Sequence, residues 1–382
     1  KELISNISHD LKTPITAVKG YVEGIMDGVA NTPEKMERYI KTVYNKANEM
    51  DRLINELTFY SKMDTNKIPY TFYKISVTDF FDDCAEDLKM ELSSKNVEFS
   101  YSNYVEPEVQ EIADYVGDSF NLSKAAAGLS NKTLVFCGVS FMGESGKLLS
   151  PDKTVLMPDA GADCPMAHMV RREEVEQARR EYPDLAVVCY INSTAEIKSW
   201  ADVCVTSANA VQIVKNLPNK NILFIPDKNL GRFVAEQVPE KNVMTVNGFC
   251  PVHEQMRASE IESLKCEHPD AKVLAHPECN GALLEKADYT GSTTGIINYA
   301  SSSESKEFII ATECGVRYEL EQKNPGKIFY FPATEPICTD MKKITLDKII
   351  EVLKTGVNRA EVPKDLAAPA KATLTRMLEL AR

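Results

Sequence analysis

The chain has 382 residues, more than one ordinary hydrophobic core accommodates, so two or more domains are expected. Its hydrophobic content of 43% is typical of a globular protein, and its formal net charge of −12 disfavours nucleic acid as a general partner, because a phosphate-binding surface needs a basic patch. Ten cysteines and no secretory signal indicate a reducing cytoplasm, where thiols stay free or bind metal.

Residues 1–66 are predicted to form a helical hairpin. Apolar side chains recur at spacings of three and four over residues 3–22 and again over 40–60, with a turn signal between them. Each apolar stripe needs a partner, so the hairpin is expected to form a homodimer through a four-helix bundle. No apolar run is long enough to span a bilayer, and because the chain begins with Lys1 instead of Met, we expect its N terminus to be the edge of a fragment.

The first of these helices carries residues 8–15, with the sequence SHDLKTPI. This stretch resembles the phosphoacceptor box of sensor histidine kinases. The resemblance implies that His9 is phosphorylated and that Asp10 is the adjacent base. A single His on an amphipathic helix is more often a plain surface residue, but the complete box followed by a matching second helix favours the phosphoacceptor.

Residues 67–101 continue this resemblance as the truncated start of a kinase ATP-binding domain, with a strand at 70–77, a helix at 78–94 and a second strand at 97–101. The Asn-containing box and the Gly-rich lid motifs expected downstream are absent from the sequence. Without them the chain has no means of delivering a phosphoryl group to His9 in cis. A kinase remnant is therefore expected, not a working kinase.

From residue 102 onward the sequence repeats itself three times. Ala-Asp pairs begin at Ala113, Ala201 and Ala287, so they lie 88 and 86 residues apart. Each repeat is predicted as strand, helix, strand, helix, strand, which indicates an α/β fold of three pseudo-symmetric domains with parallel sheets around a central cavity. The predicted domains are an incomplete first repeat at 102–170, a second at 171–256, and a third with a C-terminal tail at 257–382.

Three cysteines follow the same interval, since Cys164, Cys250 and Cys338 lie 86 and 88 residues apart. Their local spacing gives no metal-site signal, because no Cys-x-x-Cys occurs, but the repeat predicts that they converge. Buried structural roles are common for free cysteines, and that interpretation is assigned to the other seven. Cys279 and Cys314 are the nearest rivals, because they flank the predicted site.

Nine motifs between residues 103 and 382 stand in the order found in quinolinate synthases, and this part of the chain resembles that family. The resemblance implies a transferase of de novo NAD biosynthesis that condenses iminoaspartate with dihydroxyacetone phosphate, in functional association with an L-aspartate oxidase. It also implies a 4Fe-4S cluster on the three repeated cysteines, with one iron left open as a Lewis acid. The motifs are 136–144 (FCGVSFMGE), 162–167 (ADCPMA), 190–196 (YINSTAE), 206–210 (TSANA), 226–231 (PDKNLG), 248–253 (GFCPVH), 276–279 (HPEC), 291–293 (GST) and 338–343 (CTDMKK).

Strand ends of the three repeats are predicted to supply the catalytic groups. Nine residues before each Ala-Asp pair stand Tyr104, Asn192 and Glu278, and Tyr190 and His276 stand eleven residues before the second and third pairs. Glu278 with His276 is predicted to be a general acid–base pair. Tyr104 and Tyr190 are further catalytic candidates, and Asn192 is expected to bind substrate.

Helix starts are predicted to bind the anionic parts of the substrates. Ser119, Ser207 and the pair Ser292 and Thr293 open three helices, where backbone N–H groups and the helix dipole favour anions. Plain N-capping is as good an interpretation for any one of them, but their common phase with the cysteines favours binding. His253, three residues after Cys250, is expected to contact substrate or cluster.

The first strand end departs from the family, which carries Ala-His-Asn-Tyr where residues 101–104 read YSNY. Ser102 therefore replaces the family His, so impaired turnover is expected. The β-prone, alternating stretch 97–101 is suited to replace the family's missing first strand. Two interpretations remain open: a reading frame joined near residues 102–106, which the lack of a Gly/Ser/Pro linker favours, or a real fusion in which the hairpin regulates or dimerises the synthase. The alternative functions are a two-component phosphoacceptor module or an inactive join.

Overall fold

A computed structural model of the chain describes residues 97–381 except 103–104, 118–121, 123–124 and 126–127, together with 15, 18–27, 29, 31–32, 35–36, 39–44, 46 and 50. His9 and Asp10 of the predicted phosphoacceptor box lie outside the described residues. So do the strand and helix predicted between residues 70 and 94. The chain divides into two compact units, residues 1–75 and 76–382.

The first unit is helical at residues 18–26 and 39–44. The ring of Tyr21 meets the ring of Tyr39 edge-on, with centroids 5.0 Å apart, so the two helical stretches pack together as the hairpin prediction requires. Several large apolar side chains of this unit are exposed. Their exposure agrees with the predicted pairing of two hairpins, which stays a prediction. They are Ile15, Val22, Met26, Val29, Ile40 and Tyr44.

The described residues of the second unit form three parallel sheets of four strands each, which confirms the predicted α/β class. The sheets have the orders β2-β1-β3-β4, β6-β5-β7-β8 and β10-β9-β11-β12, so the same arrangement occurs three times and supports the repeat. The strands are β1 Val97–Ser102, β2 Tyr115–Gly117, β3 Thr133–Cys137, β4 Thr154–Leu156, β5 Ala186–Tyr190, β6 Val203–Val205, β7 Asn221–Ile225, β8 Asn242–Thr245, β9 Lys272–Ala275, β10 Tyr289–Thr290, β11 Glu307–Ala311 and β12 Ile328–Tyr330.

Each sheet has one strand more than predicted, because the segment after each Ala-Asp pair forms a strand of only two or three residues. The Asp explains why the motif recurs. The Asp202 side chain accepts a hydrogen bond from the Val187 N–H at 2.7 Å, and Asp288 accepts one from Val273 at 2.8 Å. The Ala-Asp motif thereby ties the extra strand to the start of the strand beside it.

The segment predicted to replace the family's missing first strand occupies that place. β1 lies between β2 and β3 and pairs in parallel with both, with Tyr101 opposite Val116 on one side and Cys137 on the other. β5 and β9 hold the equivalent places in the second and third sheets. The bounds predicted for the kinase-like segment remain a prediction, but its last strand belongs to this sheet.

Helices cover both faces of the sheets. In β11, Phe308 and Ile310 pack into the core on one face, while Ile309 and Ala311 pack into the core on the other. The helices with described bounds in this unit are α1 Pro107–Glu111, α2 Ser140–Leu149, α3 Arg172–Glu181, α4 Ala195–Ser199, α5 Ala210–Asn216, α6 Lys228–Gln237, α7 Pro251–Glu254, α8 Ala258–Glu267, α9 Gly281–Leu284, α10 Thr293–Ser302, α11 Val316–Lys323, α12 Leu346–Thr355 and α13 Lys364–Leu380, with 3₁₀ helices at Pro165–His168 and Met341–Lys343.

The last two helices return to the first two sheets instead of extending the third. In α12, Ile349 and Val352 are buried in the core of the first sheet. In α13, Ala370, Leu374 and Met377 are buried in the core of the second sheet. The C-terminal tail therefore packs against the first and second repeats. Among the described residues, no helix combines the length and apolar character needed to cross a bilayer.

Candidate active site

A cavity of about 90 Å³ lies where the carboxyl ends of strands from all three sheets meet. This is the position at which parallel α/β sheets bind ligands. The first sheet supplies its wall through the turn after β3, the second through the ends of β5 and β6, and the third through the ends of β9 and β11. The lining residues are Val139, Phe141, Met142, Cys164, Met166, Tyr190, Ile191, Asn192, Thr206, Ser207, Cys250, Val252, His253, His276, Glu278, Thr293, Glu313, Cys338 and Met341.

Most of the predicted site residues lie on this wall. Ser292 does not line the cavity: its hydroxyl accepts a hydrogen bond from the Gly295 N–H at 3.2 Å, so it caps α10, and the next residue faces the cavity instead. Tyr104 and Ser119 lie outside the described residues. The predicted residues that line the cavity are Cys164, Tyr190, Asn192, Ser207, Cys250, His253, His276, Glu278, Thr293 and Cys338.

Glu278 sits between two histidines on the cavity wall. Its Oε2 lies 2.8 Å from Nδ1 of His253 and 3.8 Å from Nδ1 of His276. The amide of Asn192 approaches its other oxygen at 3.5 Å. His276 was predicted as the acid–base partner of Glu278, but His253 is the closer of the two.

Hydrogen bonds fix the orientation of both imidazoles. His253 Nε2 lies 3.0 Å from the Thr312 hydroxyl, and its Nδ1 lies 3.2 Å from the sulfur of Cys250. His276 Nδ1 accepts the backbone N–H of Glu278 at 3.4 Å, and its Nε2 lies 3.3 Å from the Ser207 hydroxyl. Because Nδ1 of His276 accepts, the proton of the neutral ring is on Nε2 and points at Ser207.

The electrostatics of this cluster set the protonation states. Burial raises the pKa of Glu278, but His253, His276 and the hydrogen bonds from His253 and Tyr190 outweigh burial, and the pKa falls to about 2. Burial lowers the pKa of His276 to about 4, against the opposing charge of Glu278. At neutral pH the pair therefore offers a carboxylate and a neutral imidazole.

The three cysteines share one environment. Burial raises the pKa of Cys164 to about 12, with further contributions from the charges of Glu278 and Cys338. Burial also raises the pKa of Cys250, and the charges of Glu278 and Cys164 add to it. For Cys338 the main cause of the raised pKa is again burial. Burial and these neighbouring charges favour the protonated thiols, whereas a bound cation favours the thiolates.

The chain places each cysteine at the start of a short helical turn. Cys164 directly precedes the 3₁₀ helix Pro165–His168, and Cys250 directly precedes α7. In both turns a proline follows the cysteine, at a helix start where its missing N–H costs no hydrogen bond. The carbonyl of Cys338 accepts the N–H of Lys342 at 3.1 Å, which begins a third such turn.

A second metal-binding arrangement overlaps this one. Ligand atoms of Cys250, His253 and Glu278 all lie within 4.8 Å of one another, close enough to share one ion. The cavity therefore contains donors both for a cluster on three thiolates and for a single ion on mixed ligands.

Two polar atoms on the cavity wall have no hydrogen-bond partner in the described part of the chain. They are Oδ1 of Asn192 and Oγ1 of Thr206, and both are buried. Buried polar groups in folded proteins are nearly always paired with protein or with ordered water, so these two atoms are available to hydrogen-bond water or a polar ligand in the cavity.

Glu313 and Thr206 line the cavity but are absent from the sequence-based predictions. Glu313 is 1% exposed, and burial raises the pKa of its carboxyl. A signal for Glu313 was present, because it lies 86 residues after Asp227, the interval of the repeat. Thr206 directly precedes the predicted Ser207, and nothing in its sequence position separates it from a capping residue.

Comparisons with known proteins agree with this division of the chain. Residues 86–379 match the family described as Quinolinate synthetase A protein, and residues 1–66 match the His Kinase A (phospho-acceptor) domain. The first match begins earlier than the predicted start at residue 103 and includes β1.

Proteins named quinolinate synthase are similar to this chain over most of their own length. The one from Clostridioides difficile (strain 630) is 50% identical over 278 residues, which cover 73% of this chain and 91% of that protein. The one from Caldicellulosiruptor bescii is 49% identical over 286 residues, or 75% of this chain and 94% of that protein. The one from Aquifex aeolicus (strain VF5) is 45% identical over 291 residues, or 75% and 90%.

Proposed function

The chain belongs to the quinolinate synthetase A family and is an enzyme of NAD biosynthesis, a quinolinate synthase, and on this premise we propose that its cavity binds iminoaspartate and dihydroxyacetone phosphate beside a 4Fe-4S cluster. The observation that carries the proposal is the position of Cys164, Cys250 and Cys338 on the wall of one cavity. Cys137 and Cys279, which are buried elsewhere, do not line it.

The three cysteines fit the cluster that the family implies. Three thiolates hold three irons of a 4Fe-4S cluster and leave the fourth open. When bound, such a cluster supplies a Lewis acid for substrate oxygens. The competing arrangement, a single ion on Cys250, His253 and Glu278, leaves Cys164 and Cys338 without a role. The position of all three cysteines on the wall of one cavity supports the cluster.

Polar groups around the cavity suit two anionic substrates. Thr293 opens the ten-residue helix α10, whose first N–H groups and dipole favour a carboxylate or a phosphate. Ser207 adds a hydroxyl next to His276. The buried atoms Oδ1 of Asn192 and Oγ1 of Thr206 then find their hydrogen-bond partners in the substrate. Ser119 is likewise proposed to bind an anionic group of the substrates.

Proton transfers are assigned to Glu278 and His276. The Glu278 carboxylate accepts a proton from substrate carbon or imine, and His253 Nδ1–H donates to that carboxylate and holds it in place. The Nε2–H of neutral His276 donates toward Ser207 and the substrate beyond it. The hydroxyls of Tyr190 and Tyr104 serve the same steps, Tyr190 through its hydrogen bond to Glu278.

Further proposals concern the surroundings of the enzyme. The protein works in the cytoplasm with an L-aspartate oxidase, which supplies the unstable iminoaspartate. Ser102 in place of the family His lowers turnover without abolishing cluster binding, because the cysteines belong to other segments.

A second function is favoured by the match of residues 1–66 to the His Kinase A domain. We propose that His9 accepts phosphate from a separate kinase and that the hairpin dimerises the chain. Acid-labile phosphate on the wild-type chain, and none on His9→Ala, is the expected result. If none of a panel of histidine kinases labels the wild-type chain, this function is excluded.

The main proposal is tested by anaerobic purification of the whole chain. Reconstitution with iron and sulfide is expected to give a brown protein with about four irons and four sulfides per chain, as the cluster type requires. Iron without sulfide, at one ion per chain, supports the single-ion arrangement instead. Formation of quinolinate from iminoaspartate and dihydroxyacetone phosphate is then measured by chromatography.

A further inference from the structure

Each of the three cavity cysteines donates its backbone N–H to a carboxylate. Asp163 Oδ1 accepts from Cys164 at 2.8 Å. Asp227 Oδ2 accepts from Cys250 at 3.2 Å, and Glu313 Oε1 accepts from Cys338 at 3.0 Å. Two of these carboxylates, Asp227 and Glu313, reach their cysteines from distant segments, which indicates a common purpose.

Asp227 and Glu313 are equivalent in the repeat. Each stands two residues after the third strand of its sheet, Asp227 after β7 and Glu313 after β11, and the two are 86 residues apart. The first sheet has Val139 at the same place, two residues after β3. There Asp163, the neighbour of Cys164, supplies the carboxylate.

The second oxygen of each carboxylate is also engaged. Asp227 Oδ1 accepts the N–H of Leu230 at 2.7 Å and so caps α6. Glu313 Oε2 accepts the N–H of Gly315 at 2.7 Å. A capping role alone needs only one oxygen. The other oxygen of each side chain spans 23 or 25 residues of sequence to reach a cysteine, which capping does not explain.

Both carboxylates are almost fully buried, with Asp227 at 0% and Glu313 at 1% exposure. Burying a carboxylate is costly unless its oxygens are hydrogen-bonded, and N–H groups donating to both oxygens satisfy the ionised form. Each carboxylate is thus held rigidly at a strand end, and a hydrogen bond ties the cysteine backbone to it.

We propose that Asp227 and Glu313 are positioning residues. They fix the backbone of Cys250 and Cys338, so that both thiolates are already oriented toward the cluster before it binds. The inference rests on the proposed cluster and extends it to groups that do not touch the iron. Asp163 has the same role at Cys164 but also bonds His168 at 2.7 Å, so it is a less clean position for a test.

The experiment compares Asp227→Asn and Glu313→Gln with Asp288→Asn. The first two retain size, but their NH₂ group replaces one accepting oxygen. The matched control Asp288 also accepts a backbone N–H and also follows the repeat interval, but it lies at the opposite end of its strands, away from the cysteines. Each whole chain is reconstituted anaerobically, and cluster loss to an iron chelator is followed by absorbance.

Loss of an outer partner of a metal ligand typically weakens metal binding by about 10- to 100-fold. Cluster loss is therefore expected to be about 10- to 100-fold faster in Asp227→Asn and Glu313→Gln, and close to wild type in Asp288→Asn. The electron paramagnetic resonance spectrum of the reduced cluster is expected to shift in the first two variants only, which a general loss of stability does not produce.

The variants also separate this inference from the cluster proposal. If Asp227→Asn and Glu313→Gln keep wild-type cluster lifetime and spectrum while Cys250→Ser loses the cluster, the positioning role is wrong and the cluster stands. If the wild-type chain takes up no iron and sulfide, both are wrong. Should one substitution prevent folding, shown by circular dichroism of the metal-free chain, the other variant decides the outcome.

Discussion

Glu278 and His253 form a buried pair, with Oε2 and Nδ1 2.8 Å apart and side chains 4% and 2% exposed. The pair joins the third sheet to the cysteine turn of the second, because His253 also contacts the sulfur of Cys250. A carboxylate held in this way is a fixed proton acceptor beside the proposed cluster, which gives a first prediction.

Glu278→Gln is expected to lower kcat for quinolinate formation by about 10²- to 10⁴-fold, because an amide cannot take the proton. Gln retains the size of the side chain but replaces one accepting oxygen with an NH₂ group, and because Glu278 is not one of the three proposed cluster ligands, iron and sulfide content are expected to stay near wild type. Anaerobic turnover and metal analysis on the same sample check both parts. Activity within tenfold of wild type would remove Glu278 from the proton-transfer steps.

Cys338→Ser is expected to abolish the brown absorbance and reduce bound iron and sulfide, because a 4Fe-4S cluster on three thiolates loses one of them. Cys279→Ser is the matched control. Cys279 is buried and directly follows Glu278, a residue of the cavity wall, but its thiol donates to the Ala311 carbonyl and does not line the cavity. Equal cluster content in the two variants would contradict the assignment.

Thr206→Val is expected to lower kcat/KM by roughly twofold to tenfold, since it removes the hydrogen bond, worth about 0.5–1.5 kcal/mol, that the buried hydroxyl is proposed to make with substrate. Valine has a similar shape, so the free energy of unfolding is expected to change little. Thr373→Val is the control, because that hydroxyl donates to the Ala370 carbonyl and does not line the cavity. It is expected to lower stability and leave kcat/KM unchanged.

Acid is expected to destabilise the fold through His276. Its pKa is about 4 in the folded protein and about 6.5 in an unfolded chain. As pH falls through this window, the unfolded state takes up a proton that the folded state refuses, so the free energy of unfolding falls by roughly 3 kcal/mol. Glu278 acts in the same direction at lower pH, because its pKa is also depressed.

Urea unfolding of the metal-free chain at neutral and acidic pH measures this loss. His276→Gln is expected to lose less stability between the two pH values than wild type. His268→Gln, which changes a more accessible histidine stacked on Tyr330, is expected to follow the wild-type curve. Parallel curves for all three proteins would show that His276 is not the source.

Ser102→His is expected to raise quinolinate formation by at least about tenfold, because it restores a proton-transferring side chain at the strand end where the family carries one. Position 102 ends β1, which occupies the family's strand position in the first sheet. Turnover of the variant and of wild type at equal cluster content is the comparison. No gain would show that the first sheet lacks more than this His.

The repeat interval made most of the site predictable. Asn192 and Glu278 are 86 residues apart and both line the cavity, because equivalent strands of equivalent sheets end there. The closeness of His253 to Glu278 was not predictable, since His253 belongs to the short helix α7, whose direction depends on tertiary packing. The same interval also separates Asp227 from Glu313, but it did not predict their role, because a carboxylate after a strand caps a helix as often as it serves a functional site.

The packing of the C-terminal helices could not be predicted from sequence patterns. The apolar stripe of α13 predicts that the helix buries one face, but no periodicity tells which of three similar sheets receives it. Likewise, strands of two or three residues such as β10 are too short to carry an alternation signal.

Because α13 packs against the second sheet, the core of that sheet is completed only late in synthesis. Ala370, Leu374 and Met377 are fully buried in a core whose strands, β5 to β8, end at Thr245. During synthesis those strands leave the ribosome more than a hundred residues before the helix that completes their core. Until then their apolar surface lies open to chaperones and to other nascent chains.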